Sequence, residues 1–493
     1  MMGRVRRLLL PLTLVSALLL AGCTASRPEP QRPTRPAVRL ASGSTTAVVA
    51  AASPTERAVE ASRALFASSP GVVLAPEGDL DTQRAAATTA ERLHVPMLLV
   101  PASERSPSPS AGPAAVEAHR LGARWSVGPG LRIAGLRPQS AARTEPEPAP
   151  RTGSAVVVAT RDEDVAALAT AGAARARVVR LREGTDLNGD AGAVRALSAA
   201  KGARAVLIGR AFASRPDLSW SITAARTGWT YAGGAQRAFD GRSLHVALYG
   251  TPGDGALGVL GHQGGPATLA RVRSLSSQYA ALTGRTVSPM LEVIASVAAG
   301  GPTDDGDYSG EVDAKRLEPY VDAALAAHVP VILDLQPGRQ DFLSQAKQYA
   351  GLLEKSGVGL ALDPEWRLGP KQKPLVQIGR VSAAEVNRTS AWLAALVRSR
   401  GLPPKPFVLH EFRLTMLQDR SSIAVDRPEL DTLIHVDGQG GQPDKQATWR
   451  AVRSGAPKVG WGWKNFLEKD HPVLTPKQTL QLVHPTPDLI TYQ

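Results

Sequence analysis

The sequence predicts a two-part α/β protein, with an N-terminal three-layer α/β/α repeat region followed by a C-terminal (β/α)8 barrel. Three observations predict it. From residue 44 to about 240, short aliphatic runs alternate with Ala-rich helical runs. From residue 243 onward, eight apolar runs recur, most followed by a loop and a helix. Polar residues gather at the C-terminal ends of those eight runs, where barrels keep their chemistry.

In the first region, runs at 72–75, 97–100, 155–159, 178–181 and 205–208 read as buried parallel strands. Helical stretches at 82–93, 114–121, 163–171 and 193–200 lie between them. That alternation argues for an open sheet covered on both faces. Residues 103–115 and 138–153, rich in Pro, Ser and Glu, read as exposed loops.

In the second region, the runs are 245–249, 287–297, 329–335, 357–362, 407–409, 432–436, 458–463 and 489–492. Helices are expected at 267–282, 317–327, 342–354, 383–398, 445–454 and 476–482. The fifth interval, 415–427, is short and irregular. About 250 residues with eight strands fits a barrel; an open doubly wound sheet is the alternative.

The N-terminus sets location. Arg4, Arg6 and Arg7 precede an apolar run from Leu8 to Ala21, too short to span a bilayer. It ends in Leu20-Ala21-Gly22-Cys23, which resembles a lipobox. That resemblance implies cleavage before Cys23, lipid on its thiol and a protein held to the outer face of the cell membrane. An ordinary buried cysteine after a secretory signal is the other reading. Cys23 is the only cysteine, so no disulfide forms within the chain. Residues 24–43 read as a Pro-, Arg- and Ser-rich tether. The domains expected are therefore 1–23 signal, 24–43 tether, 44–240 α/β region and 241–493 barrel. The formal charge of +13 suits anionic wall polymers or headgroups on an exported protein, or reflects an arginine-rich composition. Nucleic acid is not an expected partner.

The segments 116–130 and 194–210 share one plan, a helix ending in Gly-Ala and then a strand ending in Gly. With residues 55–101, "TERAVEASRALFASSPGVVLAPEGDLDTQRAAATTAERLHVPMLLVP", this region resembles the cell-wall-binding repeat type 2 family. The resemblance implies binding of cell-wall polysaccharide or peptidoglycan. It departs from the family at Arg57, which lacks the usual following aromatic residue, and only two repeats are evident.

The strand ends carry the candidate site. Run one ends at Tyr249, run two carries Glu292, and run three supplies Asp334 and Gln336. Run four supplies Asp363, Glu365, Trp366 and Arg367. Run five supplies His410, Glu411 and Arg413, run six His435, Asp437 and Gln439, and run seven Trp461, Trp463 and Lys464. A pair of carboxyl groups with aromatic platforms is the equipment of glycoside hydrolysis. The candidate catalytic acids are Glu365, Asp363, Asp334, Glu411 and Asp437. The candidate binding residues are Tyr249, Glu292, Gln336, Trp366, Arg367, His410, His435, Trp461 and Trp463. The Asp363-x-Glu365 pair resembles that of family 25 lysozymes and family 18 chitinases, which are also barrels. On that resemblance Glu365 is the acid and Asp363 orients an acetamido group or stabilises charge. The chain lacks the family 25 aspartate on run one and the chitinase acidic ladder.

His410, Glu411, His435 and Asp437 form a weaker metal option, and Asp304, Asp305 and Asp307 do not fit an EF-hand. No metal and no cofactor is expected. The sequence thus predicts a surface lipoprotein that binds wall polymer and hydrolyses a glycosidic bond, or a non-catalytic adhesin or scaffold using the same cleft.

Overall fold

The computed structural model describes residues 37–43, 45–101, 112–160 and 164–493. The signal segment with Cys23, most of the tether, part of the 103–115 loop and the expected helix start at residue 163 lie outside the described residues.

The first region holds two four-stranded sheets, each wholly parallel. One runs in the order Met97–Val100, Gly71–Pro76, Trp125–Val127, Arg137–Gln139. The other runs Ala47–Val49, Arg204–Ile208, Ala155–Ala159, Arg177–Arg180. The strands read from sequence are thus divided between two sheets. A strand not read from sequence, Ala47–Val49, joins the second sheet by pairing with Arg204–Ile208. Helix Pro54–Leu65, capped by Ser53, then packs between the sheets. One core joins Val72, Leu74 and Leu98 to Val157 and Val206. Arg57 lies at this junction, 2.5 Å from Asp164 and bonded to the carbonyls of Ala51 and Ala52. Its charge is committed to Asp164 and these carbonyls.

The second region is a closed barrel of eight parallel strands. They are β1 Ser243–Gly250, β2 Thr286–Ala298, β3 Val331–Leu335, β4 Val358–Leu362, β5 Lys405–His410, β6 Leu430–Val436, β7 Gly460–Asn465 and β8 Leu489–Tyr492. The sheet closes where β1 pairs with both β2 and β8. Closure decides against the open doubly wound alternative. Both faces of each strand are covered, which is why the strands read as nearly continuous apolar runs. Outward side chains such as Leu244, Leu291, Leu333, Leu360 and Ile434 join a core with the surrounding helices. The interval after β5 holds only a two-residue strand, Leu417–Gln418, and the 3-10 turn Arg420–Ser422.

Inward positions fall in two storeys because side chains alternate along each strand. The lower storey is apolar: Ala247, Met290, Ile332, Ala361, Val408, Leu433 and Leu489. Tyr231 and Ala238 close it from below, with Trp229 and Phe239 packed alongside. Residues 229–239, placed with the first region on sequence, therefore plug the barrel's N-terminal mouth. Arg237 fixes the plug between Asp431 (2.9 Å) and Asp186 (2.8 Å), joining both regions. The Ala238 amide adds a bond to Asp431 at 2.7 Å, and Trp220 donates to the Leu402 carbonyl at 3.0 Å.

Lys405 opens β5 with its side chain buried, donating to the carbonyls of Lys355 and Val358 at 2.8 and 2.9 Å. Burial without a carboxylate pushes its pKa down to about 7. Between pH 7 and the ordinary lysine value, the unfolded chain then binds a proton that the folded chain does not. Stability contributed here rises with pH across that window. Denaturant midpoints at pH 7.5 and 9.5 are expected to differ less in Lys405→Met than in the wild type. An unchanged difference would refute it.

Candidate functional site

The upper storey of the barrel is polar on all eight strands. Tyr249, Glu292, Asp334, Asp363, His410, His435 with Asp437, Lys464 and Thr491 come from, or follow directly on, β1 to β8 in order. Register sets Tyr249 beside Glu292, His410 beside His435 and Lys464 beside Thr491. Above them opens a cleft of about 940 Å³, lined by residues that include Tyr249, Gln336, Asp363, Glu365, Trp366, Asp437 and Lys464.

Below the cleft floor lies a continuous network. His410 places Nδ1 2.8 Å from Asp437 and Nε2 2.8 Å from Glu292. Tyr249 donates to Asp334 at 2.7 Å, and Gln336 reaches the Tyr249 hydroxyl at 3.4 Å. Lys464 lies 3.7 Å from Asp437 with its ammonium over the Tyr249 ring. The other nitrogen pair belongs to His435, whose Nε2 meets Thr491 at 2.8 Å. Gly462 is what admits this imidazole, since a Cβ there would lie 2.3 Å from His435 Cδ2.

The electrostatics divide the acids. Burial disfavours charge on Glu292, but His410 outweighs it and holds the carboxyl down to about 2. Burial works the same way on Asp437, and His410 and Lys464 bring it well below the usual range. Burial and then the Asp437 charge push Glu365 up to about 7. Burial, followed by Glu365, raises Asp363 well above its ordinary value. Burial also lifts Asp334 to about 6 against the pull of His410. Ionised and protonated carboxyls therefore stand side by side, the arrangement that separates acid from base roles.

Glu365 sits in the 3-10 turn Pro364–Trp366, capped by the Asp363 side chain. Its carbonyl accepts from the Gly379 amide at 2.7 Å, which ties down the loop carrying Leu375, Val376 and Ile378 over the cleft. Among the described residues no cation forms an ion pair with Glu365, although Lys464 and His410 pull its pKa down against burial.

Eight sequence candidates do not line the cleft, four of them turned to other partners and four buried beneath it. Arg367 is spent on a two-pronged pair with Glu385, at 2.9 and 3.3 Å. Glu411 follows His410 by one residue, so it faces the other way and meets Arg420 at 2.9 Å. Trp461 and Trp463 point outward from β7 onto Trp449, at ring separations of 6.0 and 5.7 Å. Strand alternation explains all but Arg367. On β7 the inward residues are Gly462 and Lys464, so the tryptophans are helix-layer packing and not sugar platforms. Glu292, Asp334, His410 and His435 are wholly buried beneath the cleft. Arg413, read from sequence at the end of run five, also lines it, as do Phe412, Thr448, Phe466 and Gln493, which were not singled out. Of those four only Phe412 carried a signal, as a residue just past a strand end.

Fold and site together define a (β/α)8-barrel protein with an acid-rich cleft at its C-terminal rim. No family model matches the chain, and no curated protein matches it. Among solved structures, Cwp6 from Clostridium difficile aligns at 11% identity with a TM-score of 0.27, over 59% of this chain and 63% of that one. The chain thus spans less than two thirds of that neighbour, and a likeness at this level bears on neither fold nor function. Among the described residues no helix is long and apolar enough to cross a membrane.

Proposed function

We propose that the barrel hydrolyses a glycosidic bond in cell-wall glycan, and that lipid on Cys23 holds it at the outer face of the membrane. One observation carries the catalytic reading. Glu365 and Asp437, from the ends of β4 and β6, open on the same cleft in opposite settings. Asp437 is flanked by His410 and Lys464, whereas Glu365 makes no ion pair among the described residues, and burial with the Asp437 charge outweighs the pull of Lys464 and His410 on it.

In this reading Glu365 protonates the departing glycosidic oxygen. The Asp437 carboxylate faces the sugar as it gains oxocarbenium character, either stabilising it or activating water. Asp363 positions the Glu365 turn through its amide bond and faces the same space. Trp366, half-buried at the lip, offers an apolar face to a sugar ring. The +13 charge favours approach to an anionic polymer.

Incubating the protein with purified wall polysaccharide is expected to generate new reducing ends. Co-sedimentation with the polymer and no reducing ends above buffer would replace this reading with that of a non-catalytic wall binder.

A further inference from the structure

We propose that Glu292, His410 and His435 form a binding site for one divalent transition ion of the zinc type, buried beneath the cleft with Asp334 beside it. The proposal stands on the unused donor atoms of this cluster and does not rest on the glycan reading.

The ligand atoms of Glu292, His410 and His435 all lie within 4.8 Å of one another. Asp334 Oδ1 is 3.7 Å from His410 Nε2. All four side chains are fully buried. The Asp437 carboxylate can only accept, so His410 Nδ1, at 2.8 Å, carries the hydrogen. That leaves Nε2 facing two carboxylate oxygens, from Glu292 and Asp334. Lone pairs so arranged require a cation among them.

A proton on Nε2 satisfies only Glu292 Oε1. Glu292 Oε2, Asp334 Oδ1 and His435 Nδ1 remain buried with no hydrogen-bond partner. Glu292 Oε2 and His435 Nδ1 stand 3.9 Å apart, too far to bond each other. In the tautomer whose Nε2–H donates to Thr491, the His435 Nδ1 lone pair is free for an ion. Buried polar atoms left unpaired cost about 1–3 kcal/mol each in general. One ion can engage Glu292 Oε2 and His435 Nδ1 together where one proton cannot. Two imidazoles and a carboxylate, with the Asp334 carboxyl adjacent, suit zinc and its first-row neighbours. The Asp437–His410 bond is the outer carboxylate that such histidine ligands commonly carry.

The test uses the full chain, stripped with chelator, dialysed against zinc and measured by atomic emission and thermal unfolding. The expected result is about one zinc per chain and a higher Tm with zinc, since an ion that binds only the folded state stabilises it. His435→Gln should lose the bound zinc. Asp437→Asn, which keeps all three ligands, should weaken binding about 10–100-fold and serves if His435→Gln does not fold. Glu365→Gln should bind zinc fully, which separates this site from the cleft chemistry. Wild-type protein without retained zinc and without a zinc-dependent Tm would overturn the proposal, as would equal zinc in wild type and both ligand-side variants.

Discussion

Glu365→Gln is expected to lower turnover of wall glycan by about 10²–10⁴-fold, the usual contribution of a positioned general acid. The amide keeps the shape of the side chain but has no proton to deliver. Turnover of an aryl glycoside with an acidic leaving phenol should fall much less, because that departure needs little protonation. The wild-type rate should decline as pH rises through about 7, where Glu365 ionises. The variant should lose that limb of the profile. Its stability should move the other way. A carboxyl with a raised folded pKa loses stability as pH climbs from the ordinary glutamate value to about 7, because only the unfolded chain gives up its proton there. Glu365→Gln removes that loss, so its Tm at pH 8 should exceed that of the wild type. A loss of activity accompanied by a lower Tm at pH 8 would point to misfolding instead.

Arg237→Met is expected to destabilise the protein by about 3–5 kcal/mol, the range for breaking a buried ion pair by removing one partner. Arg237 is 13% exposed at the side chain and meets Asp431, 7% exposed, at 2.9 Å. Methionine fills most of the volume, so the loss is chiefly the charge left on Asp431 beneath the barrel. Asp186 is 40% exposed and can turn to water, so it should matter less. Adding Asp431→Asn to Arg237→Met should recover part of the loss, since no unpaired charge then remains. Chemical denaturation of the three proteins checks this; a double variant no better than the single one would show that packing dominates.

Much of the architecture was legible in the sequence because parallel strands covered on both faces must be apolar throughout. All eight barrel strands announce themselves that way, and the acids at 334, 363 and 437 stand out where the apolar runs stop. Depth was less legible. Glu292 and His410 read as rim residues, yet one lies mid-strand and both are wholly buried. Facing was missed where composition misled: two tryptophans drew notice on β7, while strand alternation turned Gly462 and Lys464 inward. Pairings between distant segments left no local mark. Nothing near Arg237 points to Asp431, and a three-residue strand such as Ala47–Val49 is too short to reveal that it joins the second sheet.

The most direct measurement is the rate of new reducing ends from purified wall polysaccharide, with wild type and Glu365→Gln compared at pH 6. Steady release by the wild type and near-background release by the variant is the predicted result. Equal release by both proteins would contradict the role of Glu365, and no release by either would contradict hydrolysis itself.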